Sequence, residues 1–237
     1  MHRKLLVGAL AATAAVAAIP SAANAATCNY SSASKQMEIR YRAGETALTV
    51  KPGGTIQYTD GNSLLNCFDS TTGRAATPAT TAKLLIKAPT GAGAAPQLTI
   101  LDESTATFAD FNRQLDIFVL TGTNDQLRLQ RGPRKDLIHL MDQSGGLAIG
   151  PMIDLDFNGE PDVRMTTNNS LVRVDAGGGD DAVDATGVVS YRTSLFGEGG
   201  NDFLFGTKQA DVIDGGLNTD TASRDFKDSI TSIETLL

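Results

Sequence analysis

The chain of 237 residues has no tryptophan, two cysteines, two histidines and only 5% aromatic residues. Without tryptophan, and with few other rings, stacking platforms for sugars are scarce. His2 falls in an N-terminal leader, which leaves His139 alone for acid–base or metal chemistry. The run Asp136-Leu137-Ile138-His139-Leu140-Met141 alternates, and puts His139 on the face of Leu137 and Met141. That face is expected to be core or rim. No G-x-S-x-G, H-E-x-x-H or C-x-x-C occurs, so no nucleophile, zinc site or redox pair is marked. No apolar run after residue 19 is long enough to span a bilayer as a helix. Positive charge is scarce towards the end of the chain. From Asp175 onward twelve acids face four bases, within a whole-chain net charge of −7. Such a surface repels nucleic acid and anionic membranes and attracts divalent cations.

The chain opens with a charged Met-His-Arg-Lys, an apolar run from Leu5 to Ile19, and Ala23-Asn24-Ala25. These are the three regions of a signal peptide. They predict a leader over 1–25, cleavage after Ala25 and secretion of residues 26–237. In an exported chain Cys28 and Cys67 are expected to pair. Closing a loop of that length stabilises by a few kcal/mol, about 3 to 4 on the loop-entropy estimate.

Glycine and aspartate are plentiful between Asp175 and Ser223. Asp202, Asp211 and Asp220 fall nine residues apart, each five residues after a glycine (Gly197, Gly206, Gly215). The registers are Ala176–Asp184, Gly197–Phe205, Gly206–Asp214 and Gly215–Ser223. They follow the nonapeptide G-G-x-G-x-D-x-U-x, a calcium-binding repeat of parallel β-helices. Ala176 replaces the first glycine, Glu198 replaces the second, and the third copy keeps only Gly206, Asp211 and Ile213. Glycine permits turns that a Cβ forbids. Its exposed carbonyls, with the aspartate carboxylates, suit a hard cation that takes six to eight oxygens. The expected calcium ligands are therefore the turns of Gly177, Gly179 and Asp181, of Gly197, Gly199 and Asp202, of Gly206 and Asp211, and of Gly215 and Asp220. Val183, Leu204, Ile213 and Ala222 are expected to point inward. Plain surface turns or an acidic linker would share the composition. A linker would not hold the apolar residue in phase with the aspartate.

A second candidate is Asp154–Asp162, D-L-D-F-N-G-E-P-D. Side chains of Asp154, Asp156, Asn158 and Asp162 and the carbonyl of Glu160 would converge on calcium, with Gly159 at the sharp turn. An EF-hand would need glutamate at the twelfth place, which is Met165. A polar turn is the other reading. Asp125, Asp142, Asp162, Asp181, Asp202 and Asp220 are spaced by 17, 20, 19, 21 and 18 residues. They are expected to form one column, with Asp211 on the opposite side.

Short alternating runs predict strands at 37–42, 47–50, 55–58, 83–87, 97–101, 117–120, 126–130, 137–141, 147–155, 163–165 and 171–174. Residues 26–110 would be an N-terminal β region, either a cap or the first rungs. Residues 111–237 would be the calcium-binding part, with repeats at 176–223 and a capping tail at 224–237. Ile230, Ile233 and Leu236 of the tail suit a closing strand or an amphipathic helix.

The run from Ile153 to Gly187, followed by Leu195-Phe196-Gly197-Glu198-Gly199-Gly200-Asn201-Asp202, resembles secreted RTX-like, hemolysin-type calcium-binding proteins of actinobacteria. The resemblance implies an all-β fold, a right-handed parallel β-helix or β-roll solenoid with a disulfide-closed N-terminal β cap. It implies Ca²⁺ binding and export, and no agreed activity. The expected function is that of a calcium-stabilised structural or surface-interaction module without catalysis. It would be monomeric, and its partner would be an extracellular or cell-wall polysaccharide or protein. The alternative is a polysaccharide lyase-like enzyme using the basic cluster Arg128, Arg131, Arg134 and Lys135.

Overall fold

Alternating side chains and glycine-bounded runs become strands throughout, and no helix occurs among the described residues. The computed structural model describes residues 26–41, 45–60, 63–88, 96–108, 115–120, 122, 124–142, 150–166, 171–223 and 225–237. The expected leader and its cleavage site, the turn at 61–62, most of the loop at 88–96 and the start of the 147–155 strand lie outside these residues.

In chain order the strands are β1 (Thr27–Ser31), β2 (Gln36–Arg40), β3 (Ala47–Lys51), β4 (Gln57–Asp60), β5 (Ser63–Asn66), β6 (Lys83–Lys87), β7 (Leu98–Asp102), β8 (Asp116–Leu120), β9 (Gln126–Gln130) and β10 (Leu137–Asp142). They continue as β11 (Pro151–Asp154), β12 (Val163–Met165), β13 (Leu171–Asp175), β14 (Ala182–Asp184), β15 (Arg192–Phe196), β16 (Phe203–Phe205), β17 (Val212–Asp214), β18 (Thr221–Ala222), β19 (Ser229–Thr231) and β20 (Thr235–Leu236). β1, β5 and β15 have no counterpart among the expected strands.

The strands form two mostly parallel sheets. The first has the order β1-β2-β6-β8-β12-β11-β10-β14-β16-β18-β20, the second β19-β17-β15-β13-β9-β7-β3-β4-β5. From β6 to β10, and again from β13 to β20, the chain passes from one sheet to the other at every step. Each strand there lies parallel to the one two places before it, except where β11 and β12 intervene. Both sheets extend into residues 26–108.

The inner faces meet in one hydrophobic cluster. Successive strands place like side chains in register. Leu129, Val174, Leu195, Ile213 and Ile230 follow one another in the second sheet. Val183, Leu204 and Ala222 do so in the first. The expected inward residues Val183, Leu204, Ile213 and Ala222 are all 0% exposed. Burying each of the larger side chains stabilises by about 2 kcal/mol.

Two features depart from expectation. β11 and β12 form an antiparallel insertion, so that β12 pairs with β8 and β10 pairs with β14. His139 is not core. Ile138 and Leu140 are the buried pair of β10, and the His139 ring lies outside, 5.2 Å from the ring of Phe157. The alternation is right and its phase is opposite, because the β-branched and leucine side chains fill the inner space.

Cys28 and Cys67 form the disulfide, with Cα atoms 5.7 Å apart. It ties β1 to the segment after β5. Nearby, Asp69 accepts from the backbone N–H groups of Ser32, Thr71 and Thr72, which hold its carboxyl well below the usual range. The tail resolves as strands: β19 lies beside β17 and β20 beside β18.

Candidate metal centre

Three turns of equal length lead into first-sheet strands: Ala176–Asp181 into β14, Gly197–Asp202 into β16, and Gly215–Asp220 into β18. They stack through bridges joining Gly178, Gly199 and Leu217. Each turn has two left-handed residues. These are Gly177 and Gly179 (φ 98° and 124°), Glu198 and Gly200 (68° and 133°), and Gly216 and Asn218 (96° and 87°). This is why the repeat asks for glycine at its second and fourth places. The backbone of Gly199 serves the stacking, since its N–H donates to Gly177 O at 2.9 Å and its carbonyl accepts from Gly179 at 2.8 Å.

The aspartate closing each turn is buried, with Asp181, Asp202 and Asp220 at most 1% exposed. One oxygen of each ties two turns together. Oδ1 of Asp181 accepts from the Asp136 N–H at 2.7 Å, Oδ1 of Asp202 from Asp181 at 2.8 Å, and Oδ1 of Asp220 from Asp202 at 2.8 Å. Glu234 Oε2 ends the ladder, accepting from Asp220 at 2.8 Å. The other oxygen, Oδ2, is buried without a hydrogen-bond partner in all three aspartates. Burial of these oxygens disfavours the charged form. The Asp181 carboxyl is pushed up to about 7 and that of Asp202 to about 6, with the next aspartate in the column adding repulsion. Asp220 is raised for the same reason.

The glycine at the first place of the turn faces this oxygen. A Cβ on Gly197 would collide with Asp202 Oδ2 and the Gly215 carbonyl oxygen. One on Gly215 would collide with Asp220 Oδ2 and the Ser232 carbonyl oxygen. A carboxylate oxygen and a backbone carbonyl oxygen from later in the chain thus converge where the side chain is missing. Orphaned anionic oxygens beside backbone carbonyls fit the donor set of a hard divalent cation.

The nonapeptide Gly206–Asp214 enters the second sheet and is built differently. Asp211 Oδ1 accepts from Thr193 N–H at 2.8 Å, and its Oδ2 from Thr207 N–H at 2.6 Å and Thr207 Oγ1 at 2.8 Å. Asp228 and Asp125 have the same habit. Asp228 takes N–H groups of Asp211 and Asp225, while Asp125 takes those of Gln97 and Gly122. In each of these three aspartates both carboxylate oxygens are engaged in hydrogen bonds, and the orphan oxygen of this nonapeptide is instead Asp214 Oδ1, at the end of β17.

The expected single column is therefore corrected. Asp125 precedes a second-sheet strand, on the side expected for Asp211, which is found there. Asp142 ends β10 and accepts from Val189 N–H and Ser190 Oγ. The column on the first-sheet side is Asp136, Asp181, Asp202 and Asp220, ending at Glu234. Neither Asp136 nor Glu234 sits in a glycine-rich repeat, so the repeat pattern does not mark them.

The Asp154–Asp162 loop joins β11 to β12. Asp154, Asp156 and Asp162 each bring a carboxylate oxygen within 4.8 Å of the others. Asp154 is 0% exposed and accepts from the N–H groups of Asp156, Asn158 and Gly159 at 3.2, 3.2 and 2.6 Å. Asp162 accepts from Leu155 N–H at 2.8 Å, yet burial and its two acidic neighbours push it up to about 6. Asn158 turns inward on the loop itself: its Oδ1 accepts from Glu160 N–H and its Nδ2 donates to Asp156. Of the expected ligands here, the three aspartates converge and Asn158 is engaged within the loop.

The basic cluster is dispersed. Arg128 pairs with Asp175, which also takes Arg173 at 2.6 Å. Arg131 is buried against Glu103 and Asp136, while Arg134 and Lys135 lie exposed on the turn. The hollow beside Arg134, lined by Glu103, Ser104, Gly132 and Pro133, has about 30 Å³. That is room for about one water and not for a sugar ring. No family model, no curated protein and no solved structure matches this chain.

Proposed function

We propose that the protein is a secreted, calcium-binding, RTX-like β-roll whose C-terminal rungs are closed by cations. The carrying observation is the set of three buried, partnerless Oδ2 atoms of Asp181, Asp202 and Asp220 on consecutive rungs. Passage between two sheets at each step from β6 to β10 and from β13 to β20, with parallel neighbours, supports reading the architecture as a solenoid. A disulfide fits an oxidising compartment outside the cytoplasm.

On this reading the chain's own groups do the following. Asp181, Asp202 and Asp220 use Oδ1 to fix the spacing of the rungs and offer Oδ2 with neighbouring turn carbonyls as ligands. The glycines at 197 and 215 leave the space, and Gly177, Gly179 and Gly200 hold the turns open. Asp154, Asp156 and Asp162 form a second site on the β11–β12 insertion. A divalent cation supplies the positive charge that these buried carboxylates otherwise lack. Its role is structural, coupling binding to folding of the rungs, and no catalytic step is assigned. Extracellular modules bind calcium at about 10⁻⁴–10⁻³ M, so ordering would follow export.

Calorimetric titration of residues 26–237 with calcium after chelation, followed in parallel by far-UV circular dichroism, tests this. Saturable binding with a gain of β signal, absent with magnesium, is the expected result. A β spectrum and heat signal indifferent to calcium would overturn it.

A further inference from the structure

The turn Arg131–Asp136 stacks beside Ala176–Asp181 as a member of the same series. Arg131 N–H donates to Asp175 O at 2.8 Å, Gly178 N–H to Gly132 O at 3.0 Å, and Asp136 N–H to Asp181 Oδ1 at 2.7 Å. Arg131 therefore holds the place that Ala176, Gly197 and Gly215 hold in the later turns. A side chain at 197 or 215 would run into the aspartate carboxylate of its own turn. At 131 a side chain goes there. Its guanidinium, in a residue only 6% exposed, meets Asp136 Oδ1 through Nη2 at 2.5 Å and the Glu103 carboxylate through Nη1.

Glu103 is 2% exposed and comes from the turn before. Its N–H donates to Gln130 O at 2.7 Å, and its Oε1 accepts from Phe108 N–H at 2.5 Å. Two buried carboxylates from neighbouring rungs thus flank one guanidinium. In the turns that follow, the carboxylates stack without a guanidinium and keep an open oxygen. The backbone differs in the same sense. No residue from 131 to 136 takes a left-handed φ, whereas the three later turns have two each. Arginine stays charged at every accessible pH and calcium level.

We propose that Arg131 is a built-in cation, filling the position in the carboxylate column that a divalent ion takes in the three turns after it. The rungs up to β10 then close without metal and template the metal-dependent rungs. The space between Glu103 and Asp136 is a latent divalent-cation site. This inference rests on the calcium reading above, and a buried carboxylate pair stripped of its guanidinium would be strongly destabilising unless another cation replaced it.

The test is hydrogen exchange by mass spectrometry on residues 26–237, wild type and Arg131→Gly, in chelator and in calcium, with bound calcium counted by elemental analysis. In chelator the wild type is expected to keep protection in β6 to β10 and lose it in β14 to β18. R131G is expected to lose protection in β6 to β10 as well, to regain it in calcium, and to bind one ion more than wild type. R131G with the wild-type ion count and unchanged protection in chelator overturns the role of Arg131 alone. A wild type that binds no calcium overturns the calcium reading and the stand-in role together. If R131G folds in neither condition, the wild-type pattern decides. Protection breaking off after β10 in chelator supports the proposal, and equal exchange in β6–β10 and β14–β18 sinks it.

Discussion

Asp202 accepts the backbone N–H of Asp181 on Oδ1 at 2.8 Å and leaves its Oδ2 buried with no partner. The same carboxylate is thus a structural tie through one oxygen and unpaired at the other. Asp211, nine residues along, has both oxygens occupied by N–H and hydroxyl donors. Two aspartates at the same place in one repeat therefore respond differently to the same change.

Asp202→Asn keeps an oxygen for the Asp181 N–H and removes a buried charge. It is expected to stabilise the metal-free protein slightly and to weaken calcium binding at least about tenfold, a loss of about 1.4 kcal/mol. Asp211→Asn puts an amide against the donors of Thr207. It is expected to destabilise by about 1–3 kcal/mol whether calcium is present or not. Denaturant melts of both variants in chelator and in calcium would check this. An Asp202→Asn protein with unchanged calcium response would remove the column from the set of sites.

The metal-free protein should be more stable at pH 5 than at pH 8. Asp181 at about 7 and Asp202 at about 6 lie above the ordinary value of 3.8, because burial disfavours their charged forms. A raised folded value means that protonation favours the fold, so this stability is full below about 4 and is lost as pH rises through 6 to 7. Below about 4 the trend turns over, since Asp69, Asp102 and Asp180 are held low by hydrogen bonds and lose that stabilisation on protonation. Thermal melts in chelator between pH 4 and 8 should show a maximum on the acid side. Saturating calcium should flatten the slope between pH 5 and 8, because protons and cations compete for the same oxygens.

Glu198 occupies a left-handed position, φ 68°, where the turn after it has Gly216 and the turn before it Gly177. A side chain there costs about 1–2 kcal/mol, and the entropy of a new glycine returns about 0.5–1 kcal/mol of that. Glu198→Gly is therefore expected to raise stability by up to about 1.5 kcal/mol in calcium, read from denaturant midpoints. A lower midpoint would mean that the Glu198 side chain itself supports the turn.

Much of the local pattern was legible in the residues alone. The phase of Val183, Leu204, Ile213 and Ala222 follows from a two-residue period set beside an aspartate, and all four are buried. The Asp154–Asp162 loop is local too, and its three aspartates converge. An all-β chain closed by Cys28 and Cys67 is likewise what the runs and the cysteine count imply. These features depend on neighbours a few residues apart, where backbone geometry alone decides which side chains meet.

Tertiary structure decided whatever depends on which rung lies next to which. The β11–β12 insertion separates Asp136 from Asp181 by 45 residues, so the apparent rung length breaks and spacing alone assigns the wrong aspartates to the column. The phase of His139 turned on which face of β10 met the core. Arg131 reads as one of a cluster of four cations, and becomes an internal ion pair because Glu103, 28 residues earlier, lies on the turn beside it. Charge in a chain has no burial of its own. Stacking brings distant carboxylates together, removes their water, and so decides which of them are paired with a guanidinium and which are pushed towards the protonated form.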